Sequence, residues 1–182
     1  MKGTTMTTTV LAPELLHHDG QAGILAQEAD HPTWQYMPHG LPGFLQTPDH
    51  AHALAELLPH VEYAHTEQVR LRLQRGEQMR TRTHLRHRFI LGPEILNTTT
   101  PLMADQYAHL VELDQLDHIQ IRIRPAGPVV TDPTGFTLRA GRAWIEAADL
   151  YFAAPGNIAT WHKEWERLWA QTVPLTDHQG PN

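Results

Sequence analysis

Histidine and carboxylate spacing is the first feature of this sequence that suggests chemistry. Fourteen histidines occur in the chain. Three groups have ligand-like spacing: His50-x-His52, His84-x-x-His87 and the helical trio Asp105, His109 and Glu112. Zinc binds imidazole and carboxylate groups of this kind, but none of the three groups belongs to an HExxH or similar motif. We therefore interpret them as side chains on solvated helix faces, and predict neither a metal site nor a cofactor.

The residues needed by several common enzyme classes are missing. The chain contains no cysteine, which excludes a thiol nucleophile, a thiolate zinc site and a disulfide framework. The sequence shows no glycine-rich phosphate loop and no Ser-His-Asp order, so it gives no support to kinase or hydrolase chemistry. Any catalysis is expected to depend on substrate positioning and on acid–base side chains.

Charge is uneven along the chain, whose formal net charge is −6. Residues 70 to 88 carry seven arginines against Glu77, and the segments on both sides are acidic. Because phosphate contacts supply most nucleic-acid affinity, we predict no specific nucleic-acid binding. No stretch approaches the roughly 18 apolar residues of a membrane span, and Met1 to Thr9 lacks the apolar run of a secretory signal. We therefore predict a cytoplasmic protein without membrane contact.

The 182 residues fit one domain. We predict a flexible N-terminal arm at residues 1–31, a single ligand-binding domain at residues 32–174 and a tail at residues 175–182. The predicted fold class is α+β, with helices packed on a small, mostly antiparallel sheet and a closing C-terminal helix.

Capping residues and hydrophobic periodicity predict four main helices. Thr47 is the expected N-cap of the first, with Pro48 at its first position. The predicted helices run from there to about Leu58, from Thr66 to about Arg80, from Pro101 to Leu116 and from Pro155 to Thr172. On the last helix a stripe of Trp161, Trp165 and Trp169 predicts a core seam, with a pocket wall as the alternative.

Alternation and turn residues predict the strands, which are Arg88–Leu91, Ile119–Arg124, Phe136–Leu138 and Ala143–Glu146, with a further edge strand at Tyr151-Phe152. Ala140-Gly141 suits a tight hairpin between two of them. In the second strand three isoleucines share one face, and the other face carries Arg122 and Arg124. Those arginines form a surface ladder, an internal ion pair or an anion clamp.

Residues 34 to 46 are apolar and aromatic but contain two prolines and two glycines. Because proline removes a backbone donor, Pro38 and Pro42 argue against a regular helix or a central strand. We therefore predict a buried, irregular segment, in which Trp34 and Tyr36 line a cleft or belong to the core.

The stretch LPGFLQTPDHA at Leu41 to Ala51 resembles the signature PGLLQTxDYA of an antitoxin-like domain in actinobacteria, usually found behind an XRE-type helix-turn-helix. A helix of the form M-x-x-Q-x-x-x-L at Met103 to Leu110 and a W-x-x-x-W-x-x-L helix at Trp161 to Leu168 are also similar. The resemblance covers about residues 34 to 174. His50 replaces the family's tyrosine, and residues 1 to 31 are too few for the DNA-binding domain.

The resemblance implies two hypotheses, because the family's domain receives a protein partner or a small ligand. In the first, the chain is a cofactor-independent cyclase of antibiotic biosynthesis that closes a ring by conjugate (Michael-type) addition in a large, apolar, polyketide-derived substrate. Some relatives without the helix-turn-helix accompany polyketide and tetramate assembly lines in that role. In the alternative, it is a non-enzymatic, antitoxin-like regulatory protein that binds a partner or ligand without binding DNA. A homodimer stays open.

The cyclase hypothesis assigns roles to six side chains. The catalytic candidates are His39 as base and Tyr36 or Arg122 as donor to the developing enolate, and the substrate-binding candidates are Trp34, Phe44 and Trp144. Aromatic walls would fold a flexible chain into a reactive geometry, while a base and a donor would stabilise developing charge. For Phe44 and Trp144 the alternative is an ordinary core position.

Overall fold

The computed structural model describes residues 26, 28–57, 62–96, 100–125, 135–147 and 150–177. These residues form a mixed β-sheet with helices packed on it, so the predicted α+β class is confirmed. The strands are β1 (Trp34–Met37), β2 (His87–Leu91), β3 (Ile119–Ile123), β4 (Phe136–Arg139), β5 (Arg142–Ala147), β6 (Leu150–Ala153) and β7 (Val173–Pro174). The α-helices with defined bounds are α1 (Pro48–Glu56), α2 (Glu62–Thr81), α3 (Pro101–Asp114) and α4 (Ile158–Trp169).

The sheet has seven strands in the order β6-β5-β4-β1-β2-β3-β7 and is larger than the small sheet predicted. Its centre is parallel, since β2 pairs in parallel with both β1 and β3. The remaining pairings are antiparallel. Helical crossovers explain the parallel centre, because a parallel neighbour requires a long connection: α1 and α2 lie between β1 and β2 in the chain, and α3 lies between β2 and β3.

Strand β1 corrects the sequence-based prediction for Trp34 to Gln46. Trp34–Met37 is a regular strand at the centre of the sheet, between β2 and β4. It has four residues and ends before Pro38, so the proline costs the ladder no hydrogen bond. The remainder is irregular, apart from a 3-10 turn at Gly43–Leu45. The prediction was wrong because it extended the effect of the prolines to residues that precede them.

Local capping chemistry places the helix starts. The Thr47 hydroxyl accepts from the His50 amide at 3.2 Å, and Pro48 is the first helical residue, as predicted. Asn157 accepts from the Ala159 amide, so α4 begins at Ile158 rather than at Pro155. The third helix begins at Pro101 as predicted, and the other helix ends differ from prediction by one to four residues, which is the ordinary uncertainty of a boundary inferred from sequence.

The hairpin between β4 and β5 confirms the predicted turn. Arg139 pairs with Arg142, which leaves Ala140-Gly141 as a two-residue loop. Both loop residues have positive φ, 51° at Ala140 and 70° at Gly141. This is the mirror-image turn that matches the twist of the flanking strands.

Two apolar cores lie on opposite faces of the sheet. Side chains alternate along β2, so Phe89 and Leu91 pack on the face covered by α2 and α3, whereas Ile90 packs on the α4 face. Trp165 of α4 is fully buried in the second core, which confirms the predicted seam. The sheet therefore separates two apolar cores, one on each of its faces.

Residues just outside both ends of the predicted domain pack against its core. Residues 1–25 of the predicted arm and 178–182 of the predicted tail lie outside the described residues. Residues 28–30 are helical and Glu28 is buried, while Leu175 is fully buried at the other end. Within the described part of the chain, no helix has the length and hydropathy to cross a membrane.

Candidate functional site

An ionic cluster of Glu28, Arg75 and Arg139 lies buried on the α2 face of the sheet. Arg75 donates from Nε and Nη2 to the two carboxylate oxygens of Glu28, both at 2.7 Å. Arg139 donates to Glu28 Oε1 at 2.5 Å. The side chains of Arg75, Arg139 and Glu28 are only 2%, 0% and 8% exposed. The cluster therefore ties α2 and β4 to residues 28–30, which precede β1.

His87 lies beside the cluster as a neutral imidazole. Its Nδ1 accepts a hydrogen bond from the Thr33 amide at 3.3 Å, so Nε2 carries the ring proton. Burial lowers the pKa of His87 to about 4; Glu28 opposes this shift and His118 adds to it. At neutral pH the ring is therefore uncharged, and its Nε2–H has no hydrogen-bond partner among the described residues.

A cavity of about 10 Å³ opens between the ionic cluster, His87, Phe44 and Gln78. The Gln78 Oε1 and Thr33 Oγ1 atoms are also buried without a hydrogen-bond partner in the described part of the chain. This volume accommodates about one water molecule, and its polar atoms suit one. The region has the properties of an internal structural tie rather than of a ligand pocket.

The opposite face of the sheet carries what we call the arginine–tryptophan face, which consists of Trp34, Arg88, Arg122 and Trp169. The Arg88 guanidinium lies 5.0 Å from the Trp34 ring centre and 5.4 Å from that of Trp169. The guanidinium of Arg122 lies 5.1 Å from the Trp169 ring. Strand register creates this arrangement, since Trp34 is paired with Arg88 across β1 and β2. Neither arginine forms an ion pair with a carboxylate of the described residues.

A cleft of about 130 Å³ adjoins this face, between the β4–β5 turn and α4. Its apolar walls come from Pro32, Trp34, Leu138 and Ile158, and residues 139–142 of the β4–β5 turn and His162 complete the lining. The Arg139 side chain points to the ionic cluster on the other face, and Arg142, its partner in the ladder, shares that direction. No aspartate or glutamate lines it among the described residues. The His162 ring meets the Trp34 ring edge-on, with centroids 5.6 Å apart. The cleft thus combines an indole, aliphatic walls and an imidazole.

The structure brings two of the three predicted catalytic residues to one side of the sheet. Tyr36 and Arg122 share a row across β1, β2 and β3, with Ile90 between them. Both are engaged: the fully buried Tyr36 hydroxyl accepts from Arg124 at 2.5 Å, and Arg122 donates to Thr172. His39 is exposed in the bend after β1 and forms no hydrogen bond or ring contact with either one.

The predicted substrate-binding residues are divided between the two faces. Trp34 lines the cleft on the α4 side. Phe44 is 5% exposed in the opposite core, where Arg75 stacks on its ring at 4.7 Å. Trp144 pairs with Thr137, and strand alternation places it opposite the face of Leu138 and Ala143. These three aromatic side chains therefore do not form one pocket wall.

The histidine groups noted in the sequence do not converge in space. Within the described residues, no group of three or more His, Asp or Glu side chains has the arrangement of a metal site. Burial lowers the pKa of His109, Arg80 lowers it further, and Glu112 raises it. In the second histidine group, His84 is exposed and His87 is buried.

Sequence reasoning missed most residues of both regions. Glu28 gave no local signal, and Arg75 appeared only as part of an arginine-rich segment. Arg142 and His162 belong to a turn and a helix that come together only through the sheet. Three signals pointed to the arginine–tryptophan face: the alternating polar face of β3, through Arg122, the aromatic Trp34, and the tryptophan stripe that includes Trp169.

Comparison with models of known protein families identifies the family of this chain. The model of a family described as "Domain of unknown function (DUF5753)" matches residues 22–177. No curated protein matches the chain. Since the matched region covers far more than half of the sequence, the protein belongs to the DUF5753 family.

Proposed function

We propose that this chain is a regulatory protein that binds a small ligand in the cleft without turnover. The observation that carries the proposal is the lining of the 130 Å³ cleft, where Trp34 and aliphatic side chains meet the imidazole of His162. Binding sites for small molecules combine an apolar lining with a few polar groups in this way. The resemblance to antitoxin-like domains of XRE-type regulators agrees with a binding role.

The contacts of the catalytic candidates favour binding over turnover. The Tyr36 hydroxyl is already bonded to Arg124, and Arg122 to Thr172. A base within reach of the substrate is the first geometric requirement of proton abstraction. His39 is exposed in the bend after β1 and forms no hydrogen bond or ring contact with either donor, so the structure gives no support to this role.

The cyclase remains the second candidate, supported by the row shared by Tyr36 and Arg122. A large apolar substrate needs about 300–1,000 Å³, so the cleft would have to widen along the arginine–tryptophan face. Turnover assays of Tyr36→Phe, His39→Ala and Arg122→Ala with a polyketide-derived acyl substrate test it. Parental rates in all three variants would reject these roles.

The proposal includes a cytoplasmic location and no specific nucleic-acid binding. It rests here on the lack of cysteine and on the net charge of −6. The arginine-rich segment exposes less basic surface than its sequence suggests, because Arg72 and Arg75 are buried and Arg70 pairs with Glu67. A homodimer stays open.

Titration with single-ring fragments of different charge tests the binding function. We expect some of them to shift the NMR signals of Trp34 and His162, and Trp34→Phe to weaken that binding. Trp144→Phe is the matched control, since the same substitution is made on the opposite face of the sheet. If no fragment binds, or if both variants weaken binding equally, the cleft is not the ligand site.

A further inference from the structure

We infer that the ligand of the cleft is an uncharged, flat molecule of about one ring whose hydroxyl group forms a hydrogen bond with His162, as in a phenol. This inference rests on the proposed function and specifies the ligand class of the same site. It follows from three properties of the cleft: its volume, the directions of the charged side chains around it, and the hydrogen-bonding capacity of one imidazole.

The volume and the apolar walls suit a single ring. An apolar cavity of about 150 Å³ is known to accept benzene, and this cleft holds about 130 Å³. Its apolar walls include the indole of Trp34 and the branched side chains of Leu138 and Ile158. A ring placed beside the indole gains offset or edge-to-face contact in addition to the area that it buries. The cleft therefore favours one aromatic ring.

No guanidinium, ammonium or carboxylate group of the described residues points into the cleft. Its lining includes Arg139 and Arg142, but the Arg139 guanidinium donates to Glu28 on the other face of the sheet, and Arg142 shares its direction. The two turn residues between them are alanine and glycine. Arg88 stacks on Trp34 but does not line the cleft. A charged ligand would therefore lose hydration here without gaining an ion pair, which favours a neutral one.

His162 supplies the hydrogen-bonding group. Its ring lies at 90° to the Trp34 ring, with the centroids 5.6 Å apart, and it has no hydrogen-bond partner among the described residues. A neutral imidazole carries one N–H donor and one nitrogen acceptor. A hydroxyl group both donates and accepts, so it pairs with the imidazole in either tautomer, whereas a carbonyl pairs only with the donor. The imidazole therefore favours a hydroxyl on the ligand ring.

Four single-ring compounds test the inference: phenol, toluene, benzoate and benzylamine. Toluene has nearly the shape of phenol, with a methyl group in place of the hydroxyl. Titrations of the full chain, followed by NMR at Trp34, should give phenol an affinity about fivefold above that of toluene, which corresponds to one net hydrogen bond. Benzoate and benzylamine, which are charged at neutral pH, should bind more weakly than toluene.

A substitution of His162 assigns the hydrogen bond. His162→Phe keeps an aromatic ring beside Trp34 and removes both ring nitrogens. It should reduce the affinity for phenol to about that for toluene and leave toluene binding unchanged. His52→Phe, at an exposed position of α1, makes the same substitution away from the cleft and should change neither affinity.

The possible failures are distinct. Equal binding of phenol and toluene, or a preference for phenol that survives in His162→Phe, overturns the hydrogen bond with His162 and leaves the binding function standing. Tighter binding of benzoate or benzylamine than of toluene overturns the uncharged ligand class. Failure of all four compounds to bind at Trp34 overturns the ligand class and the proposed function together.

Discussion

Arginines on the two faces of the sheet have different partners: a carboxylate on the α2 face and indole rings on the α4 face. In the ionic cluster, Arg75 and Arg139 share the carboxylate of Glu28 and are almost completely buried. On the arginine–tryptophan face, Arg88 lies half-buried on indole rings and forms no ion pair with a carboxylate of the described residues.

This difference separates a structural role from the binding role that we propose. A fully buried guanidinium must be paired, because an uncompensated charge in the interior is very unfavourable. A guanidinium on an aromatic ring is stabilised more weakly and keeps contact with water. It is therefore able to accept a ligand without disturbing the fold. The comparison predicts large stability effects on the α2 face and small ones on the α4 face.

The largest effect is expected for Glu28→Gln, which leaves two buried guanidinium groups without their shared carboxylate. We expect the free energy of unfolding to fall by about 3–5 kcal/mol, measured by urea denaturation. The control Glu164→Gln breaks the Arg167 pair on α4, whose side chains are 47% and 29% exposed, and should cost less than about 1 kcal/mol. Similar losses in the two variants would remove the distinction between the faces.

A pH dependence is expected from His87, whose pKa is lowered to about 4 by burial. Between pH 7 and pH 5 the unfolded chain takes up a proton near its ordinary pKa of about 6.5, whereas the folded chain does not. Stability is therefore complete above the unfolded pKa and falls by about 2 kcal/mol at pH 5. It continues to fall until the pH reaches the folded pKa.

Urea denaturation at pH 7 and pH 5 isolates this contribution. The difference between the two pH values should be smaller in His87→Gln than in the parent protein, while His52→Gln, at an exposed position of α1, should keep the parental difference. An unchanged pH dependence in His87→Gln would show that the imidazole is not held neutral in the fold.

A direct comparison of two arginines gives a smaller effect on the α4 face. Arg88→Gln removes stacking on Trp34 and Trp169 and should cost about 1 kcal/mol. Arg75→Gln should cost several times more, because Glu28 loses its bidentate partner. Thermal denaturation of the two variants measures the contrast. If Arg88→Gln were as damaging as Arg75→Gln, the arginine–tryptophan face would be structural as well.

The smallest effect is expected in the wall of the cleft. Ala140 has a φ of 51°, a left-handed conformation that is unfavourable for alanine and that asparagine tolerates better. Ala140→Asn should therefore raise the free energy of unfolding by about 0.5 kcal/mol. Ala108→Asn on the exposed side of α3 should have the opposite sign, since asparagine is a poor helix former. A destabilised Ala140→Asn variant would contradict this reading of the turn.

Much of the fold could be predicted wherever a short-range rule operates. Thr47 and Pro48 signal a helix start because capping depends on atoms within one turn. Ala140-Gly141 signals a hairpin because the loop conformation is a property of two residues. The alternation from Ile119 to Ile123 was confirmed because one pleated strand sorts its own side chains between two faces.

The order of the strands could not be predicted in the same way. Strand β1 was not predicted, because Pro38 was assumed to prevent a regular strand in the residues before it as well. Strand β1 in fact ends one residue before Pro38. The parallel centre depends on which strands become neighbours after long helical connections, and no local pattern encodes that choice. The same holds for the row that brings Tyr36 and Arg122 together, since it requires the register of three strands.

The sequence by itself therefore determined the fold class, the hairpin, two of the four helix starts and the two-faced character of β3. Only the tertiary structure determined which charged side chains became partners. Glu28 meets Arg75 across 47 positions of the chain and Arg139 across 111. The same is true of the cleft, where Trp34 meets His162 of a distant helix beside the β4–β5 turn. Contacts at such separations arise from the packing of whole elements, so their residues carry no shared signal until the sheet has formed.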